Sequence, residues 1–107
     1  MLINIKNKEV ELKFTFNSFK YMGDFDISAL AEMESKPFKV VPVIEVLLNG
    51  AVNSNPKVRF YEKDVQAFIE GYVEAEESLA DLLEFLMTSL QESTFFKALQ
   101  KSNRNNK

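Results

Sequence analysis

The chain contains no cysteine and no histidine. Without cysteine, no disulfide, thiolate nucleophile or sulfur-bound zinc site can form. Without histidine, the chain also lacks the commonest general base and the commonest metal ligand. Only carboxylates, hydroxyls, Lys and Tyr remain for catalysis or metal binding. Because the sequence shows no catalytic or metal-binding arrangement of them, we predict a protein that is not an enzyme, with no catalytic residues, no cofactor and no metal.

Long apolar stretches are also missing. The longest uninterrupted apolar run, residues 40–44, has five members when its proline is counted, whereas a helix that spans a bilayer needs about 20. The first residues lack the basic flank and apolar core of a signal peptide. We expect a soluble protein that has no membrane partner.

Positive charge is scarce in one part of the chain. The net charge is -3 and the isoelectric point is about 5.0, so we expect no nucleic-acid partner. Residues 70–92 contain no Lys or Arg but seven acids: Glu70, Glu74, Glu76, Glu77, Asp81, Glu84 and Glu92. The residues after them contain four bases and no acid: Lys97, Lys101, Arg104 and Lys107. Attraction between these segments on different copies predicts an open-ended, head-to-tail contact, and the alternative is a basic tail that is merely solvated.

The length of 107 residues fits one domain with one hydrophobic core. We predict a single globular domain over residues 1–101 and a disordered polar tail over residues 102–107. Ten Phe against no Trp is a larger number of rings than one small core requires, which indicates a surface for a partner.

The N-terminal segment alternates apolar and polar residues, as a strand does. It predicts a β-hairpin with strands over residues 2–5 and 9–14 and with Asn7 at a positive φ in the turn. An isolated hairpin is only marginally stable, so its apolar face must pack on helices. The residues expected on that buried face are Val10, Leu12, Phe14 and Phe16.

Two short helices are predicted next. Asn17 is the expected N-cap of the first, and Gly23 can end it in the left-handed conformation. We interpret Asp24 or Asp26 as the N-cap of the second, which extends to about Glu34, rather than as a metal-binding pair.

The densest apolar run, residues 38–48, fits either a buried strand or a buried helix. We favour a helix that has Pro37 at its first position, a kink at Pro42, and Asn49-Gly50 as its stop. The alternative is a shorter helix that starts at Pro42, with residues 38–41 extended. The next segment, Asn53 to Pro56, has the composition of a loop.

Two amphipathic helices are predicted in the second half of the chain. One begins at Glu62, and its apolar face comprises Val65, Phe68, Ile69, Tyr72 and Val73. The other begins after a Ser78–Asp81 capping box, and its core stripe comprises Leu79, Leu82, Leu83, Leu86 and Leu90. The predicted fold is therefore α+β and mainly α, with the hairpin packed on a small bundle of about four to five helices.

Four apolar residues lie on the side of the last helix opposite its core stripe: Phe85, Phe95, Phe96 and Leu99. Either the helix breaks at Ser93-Thr94 and folds back, or it continues and presents these residues to a partner. In the second case, Lys97 and Lys101 extend the partner-binding surface.

Glu74, Glu76 and Glu77 have no nucleophile or oxyanion donor nearby in the sequence, so we interpret them as solvated acids.

The order of these pieces resembles the small tail assembly chaperones of long-tailed phages and prophages, especially those of Gram-positive hosts. The likeness covers residues 2–99. It is carried by the strand pair Ile3-Asn-Ile5 and Glu9-Val-Glu-Leu-Lys-Phe14, the middle segment 42–51, the acidic-start helix 61–70, and the last segment 82–93 with Phe95-Phe96-Lys97. The sequence departs from the family at Asn7, where a glycine is expected in the hairpin turn.

The resemblance implies a non-catalytic chaperone that binds the tape measure protein, assists assembly of tail tube protein and self-associates. It implies a location in the host bacterial cytoplasm and absence from the mature virion, and many family members also occur in a longer, frameshifted form. The alternative is a small helical interaction or regulatory module that binds one host or phage protein.

Overall fold

A computed structural model of the chain describes residues 1–23 and 40–98. In these residues an N-terminal hairpin is followed by five helical segments, which confirms the predicted α+β, mainly α fold. The hairpin comprises β1 (Leu2–Ile5) and β2 (Lys8–Glu11). The named helices are α1 (Phe16–Phe19), α2 (Val40–Val52), α3 (Glu62–Glu74) and α4 (Leu79–Glu92). After a break at Ser93, residues 94–98 are helical again.

The two strands pair in antiparallel register, with Ile5 opposite Lys8. The two turn residues between them, Lys6 and Asn7, have φ values of 56° and 63°. Positive φ at both central residues is the geometry of a type I′ turn, whose twist matches that of the strands. The prediction for Asn7 is confirmed, and β2 ends at Glu11 rather than at Phe14.

The early end of β2 changes the position of Phe16. Leu12 and Phe14 are buried as predicted, but Phe16 is 62% exposed because it is the first residue of α1 instead of a continuation of the strand. The N-cap of α1 is Thr15, not Asn17, and the Thr15 N–H donates to Ser18 Oγ at 2.9 Å. The predictions of a buried Phe16 and an Asn17 cap are therefore wrong.

Helix α2 lies at the centre of the packing and contacts α1, α3, α4 and β2. Its described part includes Pro42 in the first turn, where a helix needs no N–H donor. The helical interpretation of the apolar run is thus confirmed for residues 40–48. The buried residues of α2 are Val43, Ile44, Leu47, Leu48, Gly50, Ala51 and Val52.

Helix α2 continues through Asn49-Gly50, so the predicted stop is wrong. A Cβ added at Gly50 would lie 2.5 Å from Met22 Cγ and 3.2 Å from the carbonyl oxygen of Ser18. Gly50 therefore permits the segment after α1 to approach the backbone of α2. Gly23, at the end of that segment, has the predicted positive φ of 59°.

A buried side chain, Asn53, follows the last turn of α2 and has no exposed surface. Its Nδ2 donates to the carbonyl oxygens of Asn49 and Phe60, at 2.8 and 3.0 Å, and its Oδ1 accepts from the Phe60 N–H at 2.7 Å. Its own carbonyl oxygen accepts from Asn17 Nδ2 at 2.7 Å. Asn53 therefore joins α1, the end of α2 and the entry to α3 in one hydrogen-bonded unit.

The structure confirms the starts of α3 and α4. On α3, Val65 and Ile69 are buried as predicted, whereas Val73 is 50% exposed. The prediction for Val73 is wrong because the last turn of α3 extends past the core. On α4, Ser78 Oγ accepts the N–H of Asp81 at 3.1 Å, and Leu82, Leu86 and Leu90 are buried.

Helix α3 ends at Glu74, and Glu76, two residues later, has a φ of 61°. The N–H groups of Glu76 and Glu77 donate to the carbonyl oxygens of Val73 and Tyr72, at 3.0 and 3.1 Å. These two bonds form a Schellman motif, in which a glycine usually occupies the position of Glu76. The predicted second helix, from Asp24 or Asp26 to Glu34, lies outside the described residues.

Two helix-interior glycines provide a matched test of packing. Gly71 is exposed and a Cβ there meets nothing within 4 Å, so Gly71→Ala is expected to stabilise the protein by about 1 kcal/mol through helix propensity. Gly50→Ala gains the same propensity but overpacks Met22, and a net loss of about 1–2 kcal/mol is expected. Urea unfolding of both variants measures the difference, and equal stabilisation by both would contradict the packing described at Gly50.

Replacement of Asn53 tests the hydrogen-bonded unit. Asn53→Ala leaves the buried Phe60 N–H without a partner and removes one of the two donors to the Phe60 carbonyl oxygen. It is expected to lower the free energy of unfolding by about 2–3 kcal/mol. Asn55→Ala is the matched control, because that side chain is exposed and accepts one exposed hydrogen bond, from the Lys57 N–H. A loss for Asn53→Ala no larger than that of the control would show that the unit adds little stability.

Candidate functional site

The break after α4 is built around Ser93, whose ψ is 142°. Its N–H and its Oγ both donate to the Leu90 carbonyl oxygen, at 3.1 and 2.7 Å, and its Oγ also accepts the Phe96 N–H at 3.2 Å. Ser93 thus ends α4 and starts the helical turn 94–98. The sequence left two alternatives for this segment. The structure shows the first, in which the helix breaks and its continuation packs on the domain.

The turn 94–98 packs on α1 through aromatic rings. The ring centroid of Phe95 lies 4.8 Å from that of Phe19 and 5.2 Å from that of Phe16, the latter in an edge-on arrangement with an interplanar angle of 83°. Phe19 in turn lies 6.5 Å from Phe14. We call these four residues the aromatic cluster: Phe14, Phe16, Phe19 and Phe95.

Exposure increases across the aromatic cluster. Phe14 is 7% exposed, Phe19 and Phe95 are half-buried, and Phe16 is 62% exposed. The Nζ of Lys20 lies 5.4 Å from the centroid of the Phe16 ring, within range of a cation–π contact. The cluster is therefore anchored in the core at one end and presents an apolar ring beside a cation at the other.

The structure places the predicted site residues in different environments. Phe95 is in the aromatic cluster and Lys97 is exposed beside it in sequence, but Phe85 and Phe96 are half-buried and pack against the core. Leu99 and Lys101 lie outside the described residues. The partner-binding role assigned to these residues stays a prediction.

Phe16 and Phe19 were missed as candidate surface residues. Their spacing of three residues places them on one side of a helical turn, which is the signal that could have found them. Phe16 also continues the apolar–polar alternation of β2, so it was assigned to the buried face of the hairpin instead of to a helix. The end of the strand at Glu11 could not be recognised from the alternation itself.

An Arg59 stack fixes the segment that follows α1. The guanidinium carbon of Arg59 lies 4.1 Å from the Tyr21 ring centroid and 4.8 Å from the Tyr61 ring centroid. The same guanidinium donates to the carbonyl oxygen of Phe60. Arg59 therefore links the residues after α1 to the entry of α3, beside the Asn53 unit.

A second surface feature is a groove of about 490 Å³ between the hairpin turn and α3. Its α3 side carries Ala67, Gly71 and Ala75, and Phe68 and Tyr72 line it with ring centroids 5.6 Å apart. The hairpin contributes Asn4, Ile5 and Lys6, and Glu77 lies at the end of α3. The groove is largely apolar with charged groups near its edges.

Two titratable groups beside the groove have shifted pKa values. The Asp64 carboxylate lowers its pKa chiefly by accepting the Tyr61 N–H at 2.9 Å, an effect that burial opposes and that the Lys6 ammonium, 3.6 Å away, reinforces. Burial raises the pKa of Tyr72, and the charges of Glu77 and Asp81 raise it further. Asp64 is the third residue of α3, and its carboxylate accepts the N–H of the N-cap residue Tyr61. This capping contact is a structural role.

Within residues 1–23 and 40–98, no group of three or more acidic, histidine or cysteine side chains is arranged to hold a metal ion. The same part of the chain contains no helix with the length and apolar character needed to span a bilayer. Glu74, Glu76 and Glu77 are all exposed. Comparisons with protein-family models, curated proteins and solved structures found no match to this chain.

Proposed function

We propose that this chain is a non-catalytic tail assembly chaperone of a long-tailed phage or prophage. It binds the tape measure protein in the host bacterial cytoplasm, assists assembly of the tail tube protein, self-associates, and is absent from the mature virion. The family resemblance over residues 2–99 supports the identity of the partner. The aromatic cluster supports protein binding as the mode of action.

The exposed ring of Phe16 is the single observation on which protein binding depends. Large aromatic side chains contribute strongly to interfaces when a partner covers them, and interface cores are enriched in them. The Phe16 ring packs edge-on against Phe95, whose ring in turn contacts Phe19, so Phe16 gives up little conformational entropy when a partner binds.

The chemistry of this surface fits a helix with an apolar face. A flat ring flanked by half-buried rings accepts aliphatic side chains spaced three or four residues apart, as in other helix-binding surfaces. Lys20 and Lys97 are exposed near the rings in sequence and can pair with acids at the edge of such a helix. A chaperone that keeps long apolar helices soluble requires this type of contact.

Gene order tests the proposed identity. We expect a slippery heptamer and an overlapping reading frame near the codon of Lys107, followed by a very long open frame for the tape measure protein. Absence of both, with no tail genes adjacent, would favour the alternative of an interaction module with a different partner.

The aromatic cluster is tested by co-expression of the chain with that long downstream protein. Phe16→Ser removes an exposed ring, so the domain is expected to lose no more than about 1.5 kcal/mol of stability while partner affinity falls on the order of tenfold or more. Leu2→Ser is the matched control because Leu2, at 58% exposed, lies outside the cluster. The measurements are the soluble fraction of the partner and the affinity in a pull-down titration, and equal effects of both variants would contradict the assignment.

A further inference from the structure

The groove beside α3 has an unpartnered helix face along one side. Ala67, Gly71 and Ala75 are exposed and spaced four residues apart, so they form one line along α3. A Cβ at Gly71 would meet nothing within 4 Å. Side chains this small allow another backbone to approach closely, and the groove volume of about 490 Å³ leaves space for side chains of a bound segment.

The surroundings of this face are acidic. Glu70, Glu74 and Glu77 are exposed, and no Lys or Arg occurs between residues 70 and 92. The hairpin contributes Lys6 to the groove, but its ammonium lies 3.6 Å from the Asp64 carboxylate. Because this ion pair is neutral overall, Glu77 gives the lining of the groove a net negative charge.

The same chain carries the complementary charge. Residues 97–107 contain four bases and no acid. Several of these bases can pair with Glu70, Glu74 and Glu77, and opposite charges on two surfaces favour their encounter.

We infer that the groove between the hairpin turn and α3 binds the basic segment, residues 97–107, of a second copy of this chain. The inference rests on the self-association included in the proposed function and assigns it a site. On each copy the turn 94–98 is held on α1 through Phe95, while the groove lies beside α3. One copy therefore offers both a groove and a segment, and the contact propagates head to tail instead of closing as a two-fold dimer.

Light scattering of the full chain over a concentration series tests the contact. At low ionic strength the mean mass is expected to rise steadily with concentration. At about 1 M salt, where the screening length is about 3 Å, the association constant is expected to fall at least tenfold. A chain that stays monomeric at every concentration, or a salt-independent dimer, overturns the proposal.

Blocking the groove provides the first variant. Gly71→Trp fills the groove from an exposed position and is expected to abolish self-association. Gln66→Trp places the same side chain on α3 at an exposed position that does not line the groove, and is expected to associate like the unmodified chain. Thermal unfolding checks that both variants fold, and equal association by both overturns the proposal.

A charge exchange tests the pairing itself and does not depend on the Trp variants. Chains with Glu74→Lys and Glu77→Lys, and separately chains with Lys97→Glu and Lys101→Glu, are each expected to remain monomeric. An equimolar mixture of the two is expected to associate again, because each groove then meets a segment of opposite charge. Failure of the mixture to associate overturns the proposal.

These experiments use the chain alone, so they are independent of the tape measure protein. If the groove variants lose self-association but still solubilise the tape measure protein, both proposals are supported. A chain that self-associates through the groove but binds no tape measure protein supports the inference and contradicts the proposed function.

Discussion

The side-chain amide of Asn53 is the interaction on which the arrangement of the other elements depends. The side chain is fully buried and bonds to both backbone polar groups of Phe60. The backbone carbonyl oxygen of Asn53 accepts a hydrogen bond from Asn17 Nδ2. A buried amide of this kind is costly unless every bond is made, so it permits one arrangement of the neighbouring segments and disfavours others. Together with the close approach at Gly50 and the Arg59 stack, it holds α1 against α2 and the entry to α3.

The two surface features are consequences of that arrangement. Because α1 is held against the end of α2, Phe19 and Phe16 project where the turn 94–98 can pack on them. Because Phe60 is held at the entry to α3, that helix lies beside the hairpin and leaves a groove between them. The aromatic cluster is apolar with cations nearby, whereas the groove has acidic edges, and this difference in charge suits two different ligands.

Periodicity predicted the elements whose one face is apolar throughout. Helices α3 and α4 begin where predicted, at Glu62 and after the Ser78 cap, and their central residues Val65, Ile69, Leu82 and Leu86 are buried. The residues at element ends were harder to predict, because a terminal residue can follow the pattern of its element and still extend past the core. Val73 and Phe16 are examples, each apolar and in phase yet at least half exposed.

Predictions that depended on contacts distant in sequence could not be made from local pattern. Gly50 resembles a helix stop, and only the approach of Met22 shows that it is required for packing. Asn53 resembles a loop residue, and its burial depends on Phe60. Phe95 stays a candidate surface residue, and its ring neighbours belong to α1, about 76–79 positions earlier, so they could not be predicted from the local pattern.

We propose the aromatic cluster as the surface that binds the tape measure protein. Hydrogen exchange of the backbone amides, measured with and without a purified helical fragment of that protein, tests it most directly. We expect slower exchange of residues 16–23 and 94–98 in the complex, with residues 67–77 along the groove unchanged. Slower exchange confined to residues 67–77, or to neither segment, would contradict it.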